Sequence, residues 1–163
     1  MQKKITTFLT FDGRAEEALD FYTSVFHNTR ILSTTRHDAG DPGGEGELIS
    51  ATFELAGQEF MALNGGSSFS FSQGISLYVD CEDQEEVNHF WEKLLDGGEP
   101  GPCGWLTDRF GVSWQIIPRA LGELLADEDR ERAGRVMQAM LKMSKIEIEG
   151  LQRAYEGVEA SMP

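Results

Sequence analysis

Long apolar runs are missing from this chain. Nothing in it approaches the ~20 consecutive apolar residues that a membrane helix needs, and Thr and Asp interrupt the opening "MQKKITTFLTFDGR", which leaves no signal-peptide core. The sequence therefore predicts a cytoplasmic protein with no membrane partner. Basic residues are scarce as well: 14 Lys and Arg stand against 28 Asp and Glu, for a net charge of −14. Such a surface repels phosphate backbones and anionic lipids, which argues against a nucleic-acid partner. Cysteine is almost absent. Cys81 and Cys103 form no CxxC pair and match neither a disulfide framework nor a zinc site, so both read as reduced thiols. No GxxxxGK[ST] phosphate loop occurs, nor a glycine-rich strand-to-helix turn of the kind that binds dinucleotides or S-adenosylmethionine.

What is present suits one compact domain. The 163 residues are 40% hydrophobic, enough for a real core and too few for two large domains. Acidity is uneven: up to Pro118 there are 7 basic and 19 acidic residues, and beyond it 7 and 9, which marks the tail as a compositionally different segment. The β-branched and aromatic "ITTFLTF" (5 to 11) predicts a strand. Asp12 and Gly13 then break it and can cap a helix with Ala15, Ala18, Leu19, Tyr22 and Phe26 on one face. "TRILSTTRH" (29 to 37) reads as a second strand and "DAGDPGGEGE" as a polar loop. "ISATFEL" and "QEFMALN" form a hairpin turning at Ala56 and Gly57.

The pattern then restarts. "GISLYVD" (74 to 80) is a strand, and Asp83 with Glu86 makes a capping box for a helix burying Val87, Phe90, Trp91, Leu94 and Leu95. Placing Leu9 on Leu77 and Phe21-Tyr22 on Phe90-Trp91 gives offsets of 68 and 69 residues, so the halves read as copies of one βαβββ module. Matching "QEFMAL" to "VSWQII" gives the shorter offset of 54, so the second copy has lost most of its first return strand. The predicted class is α+β, with modules at about 1–66 and 72–118 making one domain over 1–118. A helical extension follows over 119–163. There Val136, Met140 and Met143 recur at helical spacing with Met137 and Leu141 beside them, a pattern of core or interface more than of an adaptable ligand groove. Ser144 and Glu147 read as a further capping box before Ile148, Leu151 and Tyr155.

Two such modules, with "EEALDFYTSVF" on the first helix, "ALNGG" after the fourth strand and "CGWLTDRFGVSWQIIP" (103 to 118) at the close, resemble the glyoxalase or vicinal-oxygen-chelate superfamily, and within it the PhnB-like branch. Members of that branch are often labelled 3-demethylubiquinone 3-methyltransferases. The resemblance runs from about Ile5 through the tail. It implies curved sheets forming an open barrel around a cavity, homodimers, and in the enzymes of the superfamily a divalent metal held by His, Gln or Glu from the first and last strands of each module.

The residues at those places do not follow the implied pattern. Gln115 stands where the family ligand is usually Glu, and the internal repeat makes Met61, Thr6 and Gly74 the other three positions. A thioether is soft, a lone hydroxyl is weak and glycine has no side chain, so no metal and no cofactor are predicted. His27, His37 and His89 lie on separate elements; a displaced site of His37 with Asp38, Asp41 or Glu45 is the minor alternative.

A buried Gln115 needs partners, either a neighbouring group and water or a ligand. Trp114, on the opposite strand face, packs under the helices, while Trp105 near the rim suits ligand contact. Cys103 is a candidate thiol with no adjacent base, and Asn64 followed by two glycines marks either a linking turn or an approach for a ligand. The leading expectation is a dimeric, metal-free small-molecule binding protein whose apolar cavity is lined by Phe8, Phe53, Met61, Trp105 and Gln115. The alternatives are a lyase, isomerase or dioxygenase with a non-standard metal site, and a Met-rich tail that docks another protein. Methyl transfer is not expected.

Overall fold

The computed structural model describes residues 3–158. The chain divides into two compact units, Met1–Ser70 and Phe71–Pro163. The first runs β1 (Thr7–Phe11), α1 (Ala15–Val25), β2 (Arg30–Arg36), β3 (Leu48–Leu55) and β4 (Gln58–Asn64). Its sheet has the order β1-β4-β3-β2, with β1 and β4 parallel and the other neighbours antiparallel. Period-two alternation gives it one covered and one open face. Leu9, Phe11, Ala51, Phe53, Phe60 and Ala62 are buried with Ala15, Ala18, Leu19, Tyr22 and Val25 of α1, while Phe8 is 49% exposed.

The helix start differs from expectation. Asp12 does not cap α1; its N-cap is Arg14, which makes no side-chain cap bond. The Ala15 N–H instead donates to Asn64 Oδ1 (2.9 Å), and Asn64 Nδ2 donates to the Leu48 carbonyl (2.9 Å). The cap is supplied from 49 residues away by the end of β4. The β3–β4 turn holds Ala56 and Gly57 both at positive φ (51° and 79°), as a two-residue primed hairpin turn requires.

The second unit repeats the pattern with β5 (Leu77–Cys81), α2 (Gln84–Leu95), a two-residue β6 (Glu99–Pro100), β7 (Trp105–Thr107) and β8 (Ser113–Pro118), in the sheet order β5-β8-β7-β6. The reduced β6 is the lost return strand. Among the described residues neither sheet closes into a barrel. At the start of α2 the Glu86 N–H donates to Asp83 Oδ1 (2.9 Å) and Glu86 reaches back to the Glu82 N–H (2.7 Å), a local cap as predicted.

Three helices follow: α3 (Arg119–Leu125), α4 (Arg130–Met140) and α5 (Ile148–Glu156). They belong to the second unit and bury Leu121, Val136, Ile146 and Leu151 with Ile117 of β8. Met140 and Met143 pack on this cluster, whereas Met137 and Leu141 are exposed. Ser144 does not cap α5: the Ile148 N–H donates to Gln84 Oε1 (2.7 Å), and Gln84 Nε2 donates to the Ile146 carbonyl (3.0 Å), so one α2 side chain fastens the extension. No helix among the described residues is long and apolar enough to cross a membrane.

The strand registers revise the repeat. Met61 pairs with Phe8 and Gln115 with Tyr78, an offset of 70 on the first strands instead of 68. A two-residue slip preserves the alternation of faces, so hydrophobic pattern alone does not detect it. The second-unit counterpart of Thr6 is thus Ser76, not Gly74.

Candidate functional site

The site is built on the last strand of the second unit. Along β8, Ser113, Gln115 and Ile117 point to one face and Trp114 and Ile116 to the other. Cross-strand pairing puts Gln115 between Tyr78 and Trp105, with Ser113 beside Thr107 in the next row. Tyr78 is 59% exposed, so this face is open at that row, and at Ile117 the C-terminal helices cover it. Gln115 Nε2 donates to Ser76 Oγ (2.9 Å), while its Oε1 has no hydrogen-bond partner among the described residues. The amide is thus half committed to the fold and half open.

Next to this row lies a cleft of about 640 Å³, lined by Trp105, Leu106, Pro100 and Pro102, by the polar Cys103, Thr107, Ser113 and Gln73, and by Glu99 and Gly101. Ser113 is 3% exposed, and its Oγ has no hydrogen-bond partner among the described residues. A buried hydroxyl left unsatisfied costs roughly 1–3 kcal/mol, which makes it a feature needing a reason.

The wall of the cleft is held by the extension. The Cys103 N–H donates to the Met143 carbonyl (2.8 Å) and the Gly104 N–H to the Ser144 carbonyl (2.7 Å). Cys103 and Gly104 both sit at positive φ (58° and 84°). A side chain at Gly104 would press on the Ile116 carbonyl and on Ile117 and Ile146, so this corner requires glycine. The hairpin end of the wall is organised by Asp108, 3% exposed, whose carboxylate accepts from the N–H groups of Phe110 (2.9 Å) and Val112 (3.0 Å) and from Trp114 Nε1 (2.8 Å). Trp114 is accordingly a core residue on the covered face. Cys103 is the thiol that reaches the cleft. Cys81 is fully buried and its pKa is pushed up to about 12, first by burial and then by the carboxylates of Glu86, Asp80 and Asp83.

The other candidate positions fall apart into distinct roles. Phe8 and Met61 are neighbours on the open face of the first sheet. Phe53 is fully buried on the opposite face, stacked on Phe60 with centroids 5.7 Å apart, so it lines no cavity beside Met61. Asn64 spends both ends of its amide on Ala15 and Leu48 and is a structural tie rather than a ligand contact. Sequence reasoning passed over Ser113 and Ser76, although alternation already placed Ser113 on the Gln115 face.

The superfamily's divalent metal does not fit the side chains present. With the register revised, the four positions carry Thr6, Met61, Ser76 and Gln115: two hydroxyls, a thioether and one amide, with no anionic or imidazole donor. The Ser76 hydroxyl is moreover bonded to Gln115. His37 Nδ1 approaches Asp41 Oδ2 (3.4 Å), and no group of three His, Cys, Asp or Glu suited to a metal occurs among the described residues.

The family model described as 3-demethylubiquinone-9 3-methyltransferase matches residues 3–117. The chain belongs to this family. The match ends where the helical extension begins, so the resemblance read in the tail lies outside it. The chain is 44% identical to a PhnB protein of Bacillus cereus described under the same methyltransferase heading, covering 71% of this chain and 99% of that one with a TM-score of 0.65. A protein of Pseudomonas aeruginosa is similar at 20% identity, 72% and 98% coverage and TM-score 0.60. The genomically encoded fosfomycin resistance protein of Listeria monocytogenes is similar at 16% identity, 76% and 98% coverage and TM-score 0.51. These last two speak for the shared glyoxalase-type fold alone. No curated protein matches the chain.

Proposed function

We propose that this PhnB-like protein is a metal-free binding protein for a small organic molecule, held in the second unit against Trp105, Ser113 and Gln115. The observation that carries the reading is the buried Ser113 hydroxyl, without a protein partner, in the wall of a cleft large enough for a drug-sized compound. The half-buried Cys103 and Trp105 add polar and aromatic contacts to the same cleft, and Gln115, with its open Oε1, is the cross-strand neighbour of Trp105. Methyl transfer finds no support in the site: the strand-to-helix connections carry Asp12-Gly13-Arg14 and Glu82-Asp83, and neither forms a glycine-rich nucleoside cradle. The functional form is a homodimer in the cytoplasm. Phe8, Ile31 and Leu32 of the first unit and Tyr78 of the second are 40–59% exposed, apolar or aromatic surface of the kind a second copy covers.

Native mass spectrometry of protein purified without chelator tests the proposal. The expected spectrum is a dimer carrying an organic adduct that is lost in Trp105→Ala. An adduct that survives both Trp105→Ala and Ser113→Ala would place the ligand elsewhere and refute this site.

A further inference from the structure

We infer that the cleft selects uncharged, flat, largely apolar molecules bearing one hydrogen-bonding group for Ser113, and that it rejects anions. This rests on the cleft being the ligand site. Among the described residues no Lys or Arg lines it, and the one charged side chain there is the carboxylate of Glu99.

The backbone donors of the loop from Gly101 to Trp105 are already engaged. The Gly101 N–H donates to the Trp105 carbonyl, the Trp105 N–H to the Pro102 carbonyl, and the Cys103 and Gly104 N–H groups to the carbonyls of Met143 and Ser144. Pro100 and Pro102 have no N–H to give. The loop that frames the cleft therefore cannot fold its amides around an anion as a phosphate-binding turn does. An anion entering here would leave water for neutral donors alone, the Ser113 and Thr107 hydroxyls, the Gln73 amide and the Trp105 indole, beside a carboxylate and in a chain of net charge −14.

A neutral ring meets complementary surroundings. Trp105, Leu106 and the two prolines offer apolar and aromatic surface, and the Ser113 hydroxyl can donate to or accept from one polar atom of the ligand. The hydroxyl's burial, costly in the free protein, then becomes the source of selectivity, because a fully apolar guest leaves it unpaired. The extension matters to this chemistry, since the carbonyls of Met143 and Ser144 are what occupy the two loop amides.

Two fluorescent probes with one ring skeleton separate the charge effect from size: N-phenyl-1-naphthylamine is neutral, and 8-anilinonaphthalene-1-sulfonate adds a sulfonate. Titrated into the full-length protein, the neutral probe is expected to bind at least about tenfold tighter. Trp105→Ala and Ser113→Ala, each checked for an unchanged circular dichroism spectrum, are expected to weaken it about fivefold or more. Equal affinity for both probes, with loss in the two variants, overturns anion rejection while leaving the cleft as the ligand site. Neutral binding unchanged in both variants shows the probe on another surface and overturns the inference. Binding of neither probe overturns the reading of the cleft itself.

Discussion

The two units follow one strand-helix-three-strand plan, yet they close their last hairpins by opposite means. In the first, β3 and β4 turn on Ala56 and Gly57, two residues at positive φ. In the second, β7 and β8 are joined by a wider turn whose amides and whose Trp114 indole converge on the buried Asp108 carboxylate. The first hairpin is backbone-determined, and its neighbouring strand β2 is full length but exposed throughout. The second depends on side chains, has a β6 of two residues, and is braced by helices that the family match does not include. Shortening one strand and adding a brace is what leaves a cleft beside β7 with a fixed wall. Duplication thus supplies the scaffold, and the departures from symmetry supply the candidate site.

Removing the aspartate should break the second hairpin most severely. Asp108→Ala removes the acceptor of three donors, two of these bonds buried, and is expected to cost about 3 kcal/mol or more in urea denaturation, as charged hydrogen bonds of this kind are worth ~1.5–3 kcal/mol each. Asp108→Asn, which keeps an acceptor, should cost less. A smaller loss is expected when the brace is unfastened. Gln84→Ala strips the partner of the Ile148 N–H and the donor to the Ile146 carbonyl; roughly 1–3 kcal/mol should go, with faster hydrogen exchange at Cys103 and Gly104 as the local signature.

The first hairpin should respond with the opposite sign. Ala56 occupies a left-handed backbone conformation that glycine adopts without a Cβ penalty, so Ala56→Gly is expected to stabilise by about 0.5–1 kcal/mol, visible as a higher urea midpoint. The smallest effect concerns the end of the extension. Asp127 is held below the usual carboxylate range by the Asp129 N–H and then by the Tyr155 hydroxyl. A depressed folded-state pKa stabilises above the ordinary value and ceases to do so as pH falls through the depressed one. The melting-temperature gap between the protein and Tyr155→Phe should therefore be present at neutral pH and close in acid.

The fold was legible because its signals are local. Alternation gave the strands, Asp83 with Glu86 gave the start of α2, and Ala56-Gly57 gave the hairpin. Where the signal is long-range it was not legible: Asn64 caps α1 from another strand and Gln84 caps α5 from another helix, while the sequence near each start offered Asp12 and Ser144 as plausible decoys. The site was half legible. Gln115, Trp105 and Cys103 were readable as candidates, but Phe53 is as apolar as Phe8 and only the sheet says which face is covered. The repeat placed Gly74 where register places Ser76, because a shift of two residues keeps every side chain on its face. The orphaned Ser113 hydroxyl is a property of packing and has no sequence signature.

Neither the pair Thr6 and Met61 of the first unit nor the pair Ser76 and Gln115 of the second is expected to hold a functional metal. Elemental analysis by inductively coupled plasma mass spectrometry, on protein purified without chelator, measures this directly. Zinc, manganese, nickel and iron are each expected well below about 0.1 per chain, set against the ~1:1 loading of a true metal centre. One equivalent of any of them, lost in Gln115→Ala, would contradict this.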